Sequence, residues 1–151
     1  MKAKVLSILA TVLILLLTSS SMALANTSQT ADKDAVLRTS DYLTTYFASI
    51  SAQGNNQVKI SFTIQSKAIM DKIGVLQIEI ERNPGSGWVY DRTLRSADYD
   101  NFIKNNAMAN KSSVNFTGVA GYQYRATVIA YAADGGDSDS RDTYTGKTTC
   151  Y

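Results

Sequence analysis

Between Tyr42 and Thr149 apolar and polar residues alternate in short runs broken by turn residues. Side chains of a strand point alternately to its two faces, so such runs predict strands with one buried and one wet face. The cleanest is Gln57–Ser66, where Val58, Ile60, Phe62 and Ile64 point one way and Lys59, Ser61, Thr63 and Gln65 the other. Val75–Arg82 repeats the pattern, with Leu76, Ile78 and Ile80 inward and Gln77, Glu79 and Glu81 outward. Between these two, Ala68–Asp71 is expected to be a connector anchored by Ile69 or Met70, and Gly74 resets the chain. Gly121 opens the stretch on which the others are organised: Tyr124, Ala126, Val128 and Ala130 share the core face, and Tyr122, Thr127, Ile129 and Tyr131 are assigned to the other.

The remaining elements follow from the same signals. Tyr42–Ser51 is rich in aromatic and β-branched residues and predicts a first strand, closed by the turn cluster Gln53–Asn56. Asn83-Pro-Gly-Ser-Gly87 is a strong turn, and Trp88–Arg95 is its return strand. Ser96–Lys111 breaks the alternation: Tyr99, Phe102 and Ile103 fall at helical spacing, so it is either a short helix or an ordered loop. Ser113–Gly118 predicts a short strand, Ala133–Ser140 a polar turn, and Arg141–Thr149 a last strand. About seven strands at roughly eight-to-twelve-residue spacing, with hardly any helix, predict an all-β sandwich of antiparallel strands.

The run Gly121-x-x-Tyr124-x-Ala126-x-Val128-x-Ala130, followed by a glycine-containing turn, resembles the sixth strand of a fibronectin type III, immunoglobulin-like domain. That resemblance implies a tyrosine at position 124 whose hydroxyl anchors a corner of the sandwich. It departs from the family where Phe62 stands in place of a tryptophan and Ala120 in place of a proline. The order Val58-Lys-Ile-Ser-Phe62, Met70-Asp-Lys-Ile-Gly74, Ile78-Glu-Ile80, Trp88 and Gly118-Val-Ala-Gly121 is similar to small secreted bacterial proteins of unknown function. That likeness implies an exported single domain and no activity.

The first residues change the picture of where the chain works. Met1-Lys-Ala-Lys4 is charged, Val5–Leu17 is apolar, and Met22-Ala-Leu-Ala25 ends in an A-x-A pattern. This is the layout of a signal peptide over residues 1–25. The apolar run is shorter than the roughly 20 residues of a spanning helix, so no stable membrane anchor is expected after cleavage. Residues 26–41 are polar and lack periodicity, as in a flexible leader, leaving 42–151 as one domain. Loss of Lys2 and Lys4 lowers the Lys+Arg count of 15 by two and matches it to the 13 Asp+Glu, so the mature chain is formally neutral. A neutral domain with scattered basic residues has no electrostatic footprint for nucleic acid.

Candidate chemistry is sparse. The chain has no histidine, which removes His-dependent triads, imidazole acid–base catalysis and His-based zinc sites. Glu79 and Glu81 share a face, but beside Gln77 they are more simply a solubilising row than a glycosidase pair. The acidic turn holds Asp134, Asp137, Asp139 and Asp142, oxygen ligands of the kind calcium takes, without EF-hand spacing and with Arg141 opposing a cation. A solvated hairpin turn is the simpler reading, and no cofactor is expected. The single cysteine, Cys150, is either a residue of a frayed end or the site of an intermolecular disulfide.

Nine tyrosines and one tryptophan supply the other candidates. Tyrosine joins an apolar ring to a polar tip, which suits protein and sugar surfaces. Tyr122, Tyr131 and Tyr144, with Trp88, are the expected ligand-binding row. The expected function is a secreted, extracellular, non-catalytic binding or adhesion module for a protein or glycan. Alternatives are a carboxylate-based extracellular hydrolase or its accessory domain, and a structural surface protein assembling through sheet edges or Cys150.

Overall fold

The structure, a computed structural model, describes residues 42–151. The signal peptide and leader expected over residues 1–41 lie outside the described residues. Within them the chain forms seven antiparallel strands and no helix: β1 (Leu43–Gly54), β2 (Gln57–Asn83), β3 (Val89–Arg95), β4 (Ile103–Thr117), β5 (Gln123–Asp134), β6 (Asp137–Tyr144) and β7 (Thr148–Thr149). They build one sheet curled into a half-barrel.

The spine is β2, a single strand of 27 residues. Its first half pairs with β1 and β4, and its second half with β5 and β3. The expected connector Ala68–Asp71 is therefore not a break between two strands. The register against β4 jumps from Gln65↔Ala109 to Met70↔Ala107, so the stretch bulges within β2. Met70 is buried there and Ile69 is exposed.

A second bulge corrects the expected phase. Against β5 the register passes from Val75↔Ala130 to Gln77↔Ile129. One extra residue turns Leu76 outward, while Val75 and Ile78 both face the core. A one-residue slip exchanges faces, which is why strict alternation placed Leu76 wrongly.

Ser96–Lys111 is also resolved. Positions 96–102 are an ordered turn in which Tyr99 stacks on Phe102 at 4.9 Å between ring centroids. From Ile103 onward the chain is strand. Asn105, Asn106 and Asn110 are poor helix residues, and Asn105 and Asn110 pair with Lys72 and Ile64 of β2 instead. Ser113–Gly118, expected as a separate strand, is largely the end of β4, with Val114 and Phe116 inward.

The inner face of the curl is the core: Val58, Ile60, Phe62 and Ile64 from one half of β2, and Ile78, Ile80, Tyr124, Ala126, Val128 and Ala130 from the other side. Closure draws β1 towards β5, β6 and β7. The Ala52 N–H donates to Thr148 Oγ1 at 3.1 Å, and the Asn56 N–H to the Tyr151 carbonyl at 3.0 Å. Burial of this apolar face, at roughly 25 cal/mol per Å2, is the main driving force.

Tyr124 is fully buried, and its hydroxyl accepts the Val119 N–H at 2.9 Å. The end of the chain is pinned rather than frayed. The Cys150 N–H donates to the Tyr122 carbonyl at 3.0 Å, and the Cys150 carbonyl accepts the Gly121 N–H at 2.8 Å. The Cys150 thiol is buried in the core.

Candidate functional site

The outer face of the β3-β2-β5-β6 portion gathers the most recognition-capable side chains. In an antiparallel pair, directly opposed residues stand on the same face. The register places Tyr90 opposite Glu81 and Glu81 opposite Arg125; one rung along, Thr93, Glu79, Thr127 and Tyr144 follow across the four strands. These positions alternate with the core residues Ile78, Ile80, Ala126 and Val128 and so face out.

At the centre Arg125 grips Glu81 with two bonds, Nε to Oε2 at 2.7 Å and Nη2 to Oε1 at 3.2 Å. The hydrogen bond from Arg125 to Glu81, reinforced by the carboxylate charge, raises the guanidinium pKa above its ordinary value. On its other side the guanidinium lies 4.4 Å from the Trp88 ring centroid, a cation–π stack. Tyr90 and Tyr144 flank this group and are each about two-thirds exposed or more, at 66% and 71%. The Tyr90 hydroxyl is within 3.2 Å of Thr93 Oγ1. A shallow cavity of about 350 Å3 lies between Glu81, Arg125, Thr127, Tyr144 and Thr145. The arrangement offers flat aromatic surfaces, a charged fork and hydroxyls on a rigid sheet, which suits a polar ligand laid across it.

The expected aromatic row is only partly assembled. Trp88 and Tyr144 converge on Arg125. Tyr131 is on the same face but opposite Gly74 and Ser140, roughly 13 Å along β5 from Thr127 at the usual rise per residue. Tyr122 does not stand on the outer row. It shares the parity of Tyr124, packs against the core, and carries Arg82 over its ring at 5.9 Å. Arg125 was missed because its role depends on Glu81, 44 residues away in sequence. Its parity, opposite to that of Tyr124, was the available signal.

The acidic stretch is mostly strand. Asp134 pairs with Asp137 across Gly135-Gly136, whose φ values of 59° and 98° make a two-residue hairpin turn. Asp139, opposite the buried Ala132, and Asp142, opposite Ile129, alternate to different faces of β6. Asp139 binds Arg141 at 2.9 Å. The four carboxylates do not converge, and among the described residues no group of three or more His, Cys, Asp or Glu is placed to hold a metal ion. Glu79 accepts a hydrogen bond from Gln77 at 2.7 Å and Glu81 from Arg125, so neither glutamate of this row stands alone. Cys150, weighed above as a site for an intermolecular disulfide, is a free cysteine buried in the folded chain.

No family profile matches the chain. No curated protein matches it. Among solved structures it is similar to Spo0M, a sporulation control protein from Bacillus subtilis, with 9% identity and a TM-score of 0.40 over 70% of this chain and 49% of that one. It is also similar to a family 76 glycoside hydrolase from a bovine Bacteroides thetaiotaomicron strain, with 13% identity and a TM-score of 0.32 over 70% of this chain and 20% of that one. The chain thus spans about half of the first protein and a fifth of the second. At such values neither likeness carries an argument about function.

Proposed function

We propose that the chain is an exported, non-catalytic recognition module that binds a protein or glycan outside the cell through the outer face of β3-β2-β5-β6. The observation that carries this reading is the exposed pair Tyr90 and Tyr144 around the Trp88–Arg125–Glu81 stack. Rigid aromatics lose little conformational entropy on binding, and a fixed fork reads polar groups with direction. Export rests on the charged, apolar and A-x-A pattern of residues 1–25. Kinship with immunoglobulin-like domains rests on Tyr124, whose buried hydroxyl holds a backbone group as the corner tyrosine of those sandwiches does.

The test is a screen of the full chain against arrayed glycans and extracellular proteins, repeated with Tyr90→Ala and Tyr144→Ala. Binding is expected to fall at least about tenfold, as for interfacial aromatic anchors, with an unchanged melting temperature. Binding unaffected by both substitutions overturns the assignment of the face. Turnover of a glycan or peptide lost on Glu79→Gln or Glu81→Gln overturns the non-catalytic reading.

A further inference from the structure

The opposite portion of the sheet carries a second outer face with different chemistry. Across β1, β2 and β4 the register aligns Phe47 with Thr63 and Lys111, Ser49 with Ser61 and Ser113, and Ser51 with Lys59 and Asn115. These positions alternate with the buried Val58, Ile60, Phe62 and Val114, so they face away from the core. The middle rung is a ladder of serine hydroxyls bounded by the two lysines. A shallow trough of about 550 Å3 follows Phe47, Ser49, Lys59, Ser61, Lys111 and Ser113.

The charge on this face is of one sign. Its outward positions run Thr45, Phe47, Ser49, Ser51 and Gln53 on β1, Gln57 to Gln65 at every second residue on β2, and Ala109 to Thr117 likewise on β4. None is a carboxylate. Lys59 and Lys111 have no ion-pair partner among the described residues. The nearest acidic residues in chain order before β4, Asp98 and Asp100, belong to the preceding turn. Phe47 is 60% exposed and stands at one end of the trough.

We infer that this face is a second binding site, independent of the aromatic face, and that it takes an acidic polysaccharide chain. The two ammonium groups spring from positions roughly 14 Å apart, from four residues of strand rise and one interstrand step. They are spaced to meet charges on different units of one polymer. The hydroxyl ladder between them donates to and accepts from sugar hydroxyls, and the Phe47 ring gives a sugar face an apolar surface to lie on. A membrane is disfavoured because lipid recognition uses clusters of about four to eight basic residues, and this face has two. An acid-free surface also fits a polyanion better than a neutral glycan, which needs no such selection.

The experiment measures binding of the full chain to polygalacturonate, to a neutral galactan of matched length and to phosphatidylserine vesicles, with sedimentation equilibrium in parallel. Expected is salt-sensitive binding to polygalacturonate alone, weakened about fivefold by each of Lys59→Gln and Lys111→Gln, retained by Lys59→Arg, weakened by Phe47→Ala, and indifferent to Tyr144→Ala. Loss of binding on Tyr144→Ala with no effect of the lysine substitutions assigns the polymer to the aromatic face and overturns the second site. Equal binding to galactan overturns the acidic ligand. Lysine-dependent binding to the vesicles but not to polygalacturonate, or a dimer abolished by Lys59→Gln, overturns the polysaccharide in favour of a lipid surface or a second copy.

Discussion

Gly74→Ala tests the packing at the centre of the curl. Gly74 lies in the short stretch of β2 that pairs with both neighbours, opposite Ile103 of β4 and Tyr131 of β5. Its φ is +153°. A Cβ there would collide with the Phe102 carbonyl oxygen and lie 2.7 Å from Asn110 Nδ2. That oxygen accepts the Val75 N–H at 2.8 Å and the Asn110 Nδ2–H at 2.9 Å. Asn110 is fully buried, so a displaced carbonyl costs its amide the shorter of two bonds and leaves only the Asn101 carbonyl at 3.2 Å.

The obstacle is backbone, so no side-chain rotation relieves it. Strain at such a φ costs about 1–3 kcal/mol, and each loosened buried bond about 1–3 kcal/mol. A loss of about 3–9 kcal/mol is expected, a large share of the roughly 5–15 kcal/mol of a typical domain. Urea unfolding followed by tyrosine and tryptophan fluorescence measures it. Gly146→Ala is the control: its added Cβ would meet nothing within 4 Å, and its cost should stay within about 0.5 kcal/mol. A Gly74→Ala loss below about 1 kcal/mol refutes the reasoning, because the junction would then be free to yield.

Other expectations rest on single groups. Phe62, 1% exposed and edge-on to Phe102 at 5.7 Å, should cost about 3–5 kcal/mol as Phe62→Ala, read from the same titration; a loss under about 1 kcal/mol would place Phe62 outside the core. Tyr124→Phe removes the acceptor of the Val119 N–H and should cost about 0.5–1.5 kcal/mol, a neutral result arguing that water replaces the hydroxyl. Cys150, buried in the core, should react with a thiol reagent far more slowly in native than in denatured protein, and exported protein should run as a monomer without reductant. Equal native and denatured rates would show that the chain end opens freely.

Period-two alternation was enough to write the all-β architecture and much of the core, because burial of one face imposes its pattern on every strand. Val58, Ile60, Phe62, Ile78, Ile80, Tyr124 and Val128 are all buried, as the alternation requires. Alternation is local, however, and a bulge changes its phase without leaving a mark in composition. Hence alternation alone points Leu76 inward and reads Ala68–Asp71 as a break in a strand that continues, while the asparagine-rich first part of β4, before Ser113, carries no strand pattern of its own. The aromatic candidates were legible as residue types, but which of them meet was not. Trp88 and Tyr144 come together only because β3, β2, β5 and β6 lie side by side, whereas Tyr122 follows the core parity of Tyr124. Scattered basic residues argue against a nucleic-acid footprint and do not reveal that pairing β2 with β4 sets Lys59 and Lys111 on one face without a carboxylate. A strand's own sequence determines which side chains share a face; long-range registry, set by the pairing of strands tens of residues apart, decides which of those faces become one surface.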